Sequence, residues 1–133
     1  MKNALEKLHE TINYPDALPE GAKAFSFVVD DGDVKARLYD GKLILSRVIS
    51  HDDEALQRLA AFAAGRLLRE DAVLAWDERS ETLILWQECP DNASPHELKS
   101  FMESFLASCD WWLERVSEIN VPAPAFPDIV IRP

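Results

Sequence analysis

The sequence predicts an α+β fold in the order α-β-β-β-α-β-β-α, an antiparallel sheet with helices packed on one of its faces. Three observations predict it. Short stretches of alternating apolar and polar residues come in runs closed by turn signals, which is the pattern of hairpins. Three other stretches carry apolar residues at the helical period. No repeat or biased segment interrupts residues 1–119, so these elements form one domain, followed by a proline-rich extended tail over 120–133. A chain of 133 residues, 47% hydrophobic and 29% charged, is long enough to close its own core.

The first helix is expected over 2–12, with Leu5, Leu8 and Ile12 on one face and Ala4 beside them. Pro15, Pro19 and Gly21 make the following segment a loop. Ala24–Asp30 alternates Phe25, Phe27 and Val29 against Ser26 and Asp30, so it reads as a strand with one buried face. Asp30-Asp31-Gly32-Asp33 is a turn, and Val34–Tyr39 resumes the alternation. Asp40-Gly41 is a type I′ hairpin signal leading into a third strand, Lys42–Ile49, with aliphatic residues on both faces. Ser50 is the expected cap of a second helix, with Asp53 three residues on, running to about Arg69 through the small-residue stretch Ala60–Gly65. That stretch reads as core or as a close contact between two copies. Ala72–Trp76 and Thr82–Cys89 form a second hairpin around Asp77–Glu81.

The longest element spans Ser94–Ile119. Its ten apolar positions, among them Leu98, Met102, Phe105, Leu106, Trp112 and Val116, fill an arc of about 140°, wide enough to cover a sheet. Ser94, Pro95 and Glu97 supply the cap, the first helical residue and the capping-box acid. Trp111 falls outside the arc. The last twelve residues hold four of the eight prolines and cannot continue the helix; Ile129-Val130-Ile131 within them offers a segment able to pair with a sheet edge.

A net charge of −10 repels phosphate backbones and anionic lipid, so neither nucleic acid nor membrane is an expected partner. The charge suits a dispersed protein or one with a basic partner. No apolar run approaches a membrane span or a signal peptide, and Cys89 and Cys109 lack CxxC spacing, which points to reduced thiols and a cytoplasmic location. No metal or cofactor is expected. His9, His51 and His96 are scattered, and the acidic turn at Asp30, Asp31 and Asp33 lacks the distal glutamate of a calcium loop. GxSxG and Walker A motifs are absent, and no spacing singles out a catalytic set, so the chain is not expected to be an enzyme.

What stands out is surplus apolar surface. Leu83, Leu85 and Cys89 mark one face of the fifth strand, yet Ile84 and Trp86 mark the other, where a one-sided sheet should be polar. Trp76 and Trp111 add to the excess. Either a second layer or a symmetry mate covers these groups, or they form an interaction surface, which is the favoured reading.

With these elements in order, the chain resembles the class I type III secretion chaperones (the CesT/SycE-like family) over about residues 1–119. The closest local likeness is a strand, an acidic proline-bearing turn and a long helix: TLILWQECPDNASPHELKSFMESFLASCDWWLERV, with Leu83, Leu85, Ser94-Pro95, Leu98 and Trp112. The resemblance implies a small bacterial cytoplasmic homodimer without nucleotide or metal. Its partner would be a secreted effector protein, whose N-terminal segment it holds non-globular and secretion-competent. It also implies a dimer seam on the second helix and fourth strand, at Leu56, Leu59, Phe62, Ala63, Leu74 and Trp76. Effector contacts would fall at Leu5, Leu8, Ile12, Phe25, Phe27, Ile84 and Trp86, to which the apolar surplus adds Trp111. The alternative is a YbjN-like bacterial regulatory or interaction protein of the same architecture.

Overall fold

Local side-chain chemistry starts and stops most of the elements. The structure is a computed structural model that describes residues 2–13, 15–30, 32–59 and 71–119. In α1 (Ala4–Thr11), Asn3 Oδ1 accepts from the Glu6 amide at 2.9 Å and Glu6 Oε1 accepts from the Asn3 amide at 3.0 Å, a reciprocal cap. Asn13, at φ 54°, ends the helix in the left-handed region that asparagine tolerates. Five strands follow: β1 (Ala24–Val29), β2 (Gly32–Tyr39), β3 (Lys42–Ser50), β4 (Val73–Asp77) and β5 (Thr82–Pro90). The long helix, α2 (Pro95–Ile119), closes the described fold. Helical residues 55–59 lie between β3 and β4.

The sheet is antiparallel throughout, in the order β1-β2-β3-β5-β4, so β1 and β4 are its edges. Asp40 and Gly41 sit at φ 53° and 75° between the paired Tyr39 and Lys42, the geometry of a type I′ hairpin. β2 begins two residues earlier than its alternation suggested, because Gly32 and Asp33 already pair with Val29 and Val28. In the β4–β5 turn, Asp77 accepts from the Arg79 amide at 3.1 Å and from Ser80 Oγ at 2.8 Å.

The expected cap at Ser50 is displaced. Ser50 stays in β3, paired with Leu83 beyond a bulge, and its Oγ accepts from the Asp52 amide at 3.0 Å. Asp52 takes over as the acceptor near the helix start, receiving the Glu54 amide at 2.9 Å. The continuation of that helix to Arg69, the small residues at 60–65 and the tail at 120–133 lie outside the described residues.

α1 and α2 cover one face of the sheet. Leu5, Leu8, Phe105 and Trp112 from the helices meet Phe27, Val34, Leu43, Leu45, Leu83 and Leu85 from the strands, all buried. α1 is tied to the β5–α2 connection by Ala4 N–H donating to Asp91 Oδ1 at 2.8 Å and by Lys7 Nζ donating to the Ala93 carbonyl at 3.1 Å. Ser94 and Glu97 form the predicted capping box at the start of α2, at 2.9 and 3.1 Å. Those two bonds lower the Glu97 pKa, because they favour the ionised carboxylate. Arg47 lies in the covered row between Val34 and Leu85 and is itself buried. Gly32 makes room for it, since a Cβ there would collide with the guanidinium.

Candidate functional site

The second face of the sheet carries the apolar surplus. Pairing fixes which side each residue takes, because partners across an antiparallel ladder point the same way. Ser26, Lys35, Ser46, Trp86 and Val73 form one row on the face that α1 and α2 leave uncovered. Val48, Ile84 and Ala75 form the next row, and Arg37, Ile44 and Glu88 another. The large hydrophobic residues most exposed among those described are Val28 (68%), Tyr39 (64%), Val48 (42%) and Val73 (41%). By register, all four lie on this same face. Two of them, Tyr39 and Val48, line a groove of about 750 Å³ whose floor includes Ile44, Ile84 and Trp86.

A second groove, of about 570 Å³, runs beside the edge strand β1. Ile12 and Pro15 come from α1 and its loop, Phe27, Val28 and Val29 from β1, and Met102 and Leu106 from α2. Among the described residues that line it, Ser26 has the one polar side chain and none is charged. An edge strand that has no strand on its outer side among the described residues, next to an apolar trough, is suited to pairing with an extended chain.

The positions expected to face a partner divide between these surfaces, and some leave the surface altogether. Leu5 and Leu8 are fully buried, because α2 and the sheet close over the apolar face of α1; they hold the helix down and cannot touch a partner. Phe27 is buried but still lines the edge groove. Ile12 and Phe25 are half-buried; Phe25 stacks edge-on with His9 at 5.3 Å and tilts against Phe27 at 5.8 Å. Ile84 and Trp86 are half-buried on the uncovered face, as expected. Trp111 is not a free aromatic: it packs against the core cluster, edge-on to Trp112 at 4.8 Å, with the Arg115 guanidinium 4.7 Å from its ring.

Among the expected seam positions, Leu59 is fully buried within the protomer and so offers a partner nothing. Leu56, Leu74 and Trp76 are half-buried, the last two on the edge strand β4, while Phe62 and Ala63 lie outside the described residues. Sequence reasoning missed Val28, Tyr39, Val48 and Val73, although their phase opposite the core residues in each strand was the available signal. It also placed Met102 and Leu106 in the covering arc of α2, whereas they sit at its margin and open onto the edge groove.

Among the described residues, neither groove is lined by a histidine or a cysteine. Cys89 is pushed up to about 11, first by burial and then by Glu97 and Asp91, which keeps it a thiol at neutral pH. Asp52, Asp53 and Glu54 bring carboxylates together on the surface, with Arg58 3.7 Å from both Asp52 and Glu54. Exposed acids at a helix start are ordinary. No helix among the described residues is long and apolar enough to cross a membrane.

The family model for the Tir chaperone protein (CesT) family matches residues 4–113, from α1 to the late part of α2. The chain belongs to the CesT family. It is a family of type III secretion chaperones that bind effectors, and not one of enzymes. Solved structures share the fold. The HopA1–SchA chaperone–effector complex aligns with TM-score 0.65 and 22% identity, over 84% of this chain and 91% of that one. The ExsC–ExsE complex aligns with TM-score 0.66 and 16% identity, over 91% and 92%. YbjN from E. coli aligns with TM-score 0.61 and 18% identity, over 86% and 90%. Among curated proteins, none matches this CesT-family chain.

Proposed function

We propose that this CesT-family protein is a homodimeric cytoplasmic chaperone that holds the N-terminal segment of a secreted effector in an extended, non-globular form ready for export. It acts by occupancy alone, without nucleotide hydrolysis. The observation that carries the reading is the uncharged groove running beside β1, where an open strand edge and an apolar trough lie together. An extended segment placed there gains backbone pairing from β1 and side-chain burial against Phe27, Met102 and Leu106. The uncovered sheet face supplies a second contact through Ile84 and Trp86. Leu74 and Trp76 on the opposite edge, β4, remain for the seam with a second copy.

Co-expression with a cognate effector and light scattering of the purified material test this reading. The expected product is a chaperone dimer retaining the effector's N-terminal segment, and Leu106→Glu should release that segment by placing a charge in the neutral groove. A monomer that retains no effector segment would refute the reading. The match to YbjN supports a second reading, a regulator of the same architecture. A surface of net charge −10 disfavours a DNA-contacting role, and effector retention separates the two readings.

A further inference from the structure

The pairing of β1 with β2 fixes which backbone groups of β1 are open. The Leu38 amide donates to the Lys23 carbonyl at 2.8 Å, so these two residues form a hydrogen-bonded pair. In an antiparallel ladder such pairs recur at every second residue, which turns the backbones of Phe25, Phe27 and Val29 towards β2. The N–H and C=O groups of Ala24, Ser26 and Val28 therefore point to the open side, where no strand among the described residues meets them. Side chains alternate as well. Phe27 lies on the helix-covered side, where Ile12, Met102 and Leu106 complete the trough, while Val28 faces the other way and is 68% exposed. A segment pairing with this edge thus needs free amides in one phase and uncharged apolar side chains in the other.

One stretch of the chain itself meets both conditions. Pro127-Asp128-Ile129-Val130-Ile131-Arg132-Pro133 alternates without a break. With the backbones of Asp128, Val130 and Arg132 towards β1, three N–H donors face the edge and both charged side chains stay on the solvent side. Ile129 and Ile131 then fall in the phase of the trough. The two prolines share that phase, so their nitrogens, which carry no hydrogen, point away from β1, where an edge strand tolerates them. The opposite phase would turn Pro127 and Pro133 to β1 and set Asp128 and Arg132 against the uncharged trough. Reach is sufficient. α2 rises about 20 Å from Leu106 to Ile119 at roughly 1.5 Å per residue. Residues 120–128 span about 28 Å in extended form, at roughly 3.1 Å each. A tethered segment also acts at an effective concentration of about a millimolar, so even a short pairing fills the edge.

Resting on the chaperone reading for its consequence, we propose that residues 127–133 add a strand to the open edge of β1 in their own protomer, and that a client must displace them. The tail covers the trough until an effector segment takes the same edge.

Amide exchange measured by NMR on the full chain, without client, reads this contact at Ser26 and Val28. Both amides are expected to exchange at least about fivefold more slowly than in the double variant Ile129→Asp, Ile131→Asp, which sets carboxylates against the trough. Val130→Pro removes a donor facing β1 and should match that variant. Asp128→Ala with Arg132→Ala changes only the solvent side and should keep the protection. The effector segment recovered by co-expression should bind the Ile129→Asp, Ile131→Asp chain more tightly by the same factor, because a filled site lowers apparent affinity by the fraction filled. That longer segment should also slow Ser26 and Val28 beyond what the tail does. Equal exchange in all four chains, protection lost in the Asp128→Ala, Arg132→Ala chain, or unchanged client affinity would overturn the inference. Protection that rises with protein concentration would overturn it too, by assigning the tail to a neighbouring copy. The exchange measurements need no effector, which keeps the two readings apart. Equal exchange in a chain that retains an effector segment refutes the tail contact alone, and a protected β1 in a chain that retains none refutes the chaperone reading and the competition with it.

Discussion

Within β5, neighbouring residues answer to different demands. Leu83 and Leu85 point to the helices and are fully buried, while Ile84 and Trp86 point the other way and remain half-exposed. Backbone, strand and hairpin are the same for both sets. Only the phase differs, and with it the neighbours: α1 and α2 on one side, and a groove of about 750 Å³ on the other. Apolar character on the covered face is explained by folding. On the uncovered face it is not, because a solvated sheet face folds as well with polar residues. The difference assigns stability to the covered face, and the apolar residues of the other face are the ones the proposed client contact would use.

Paired substitutions sharpen that contrast. Leu85→Ala should cost about 2–5 kcal/mol in urea unfolding, the range for a fully buried leucine. Trp86→Ala should cost much less in the same assay and instead reduce retention of an effector segment. Equal destabilisation by the two would erase the distinction between the faces. Leu106→Glu should behave like Trp86→Ala, since Leu106 is only half-buried and opens onto the edge groove.

A smaller effect is expected at the start of α2. Ser94→Ala removes the acceptor for the Glu97 amide and should cost about 1 kcal/mol by thermal or urea unfolding. The smallest is a pH effect. The carboxyls of Glu97 and Asp77 have lowered pKa values, chiefly from bonds to Ser94 and Ser80 respectively. Their contribution is therefore present above the ordinary carboxylate range and lost as pH falls through the lowered values. Glu97→Gln combined with Asp77→Asn should flatten the acid limb of stability against pH, and leave it unchanged near neutrality relative to its own plateau.

The features legible in the sequence were those written in local chemistry. Asp40-Gly41 specified its turn, and Ser94 with Glu97 specified the start of α2, because every group involved lies within four residues. Ser50 was misread for the opposite reason. It has the chemistry of a cap, but its pairing with Leu83, a distant partner, keeps it in the strand. Leu5 and Leu8 show the same limit at the site: periodicity identifies an apolar face, not what lies over it. Val28, Val48 and Val73 carried the signal of their phase within each strand, but that they share one face of one sheet follows only from the register.

The measurement that tests the central claim most directly is amide hydrogen exchange on the chaperone, free and bound to an effector's N-terminal segment. Slowed exchange is expected along β1 as its open edge gains a strand, with side-chain-only contact over β5 leaving the already paired amides there little changed. Protection that bypasses β1 and appears only at the ends of α2 would contradict the account.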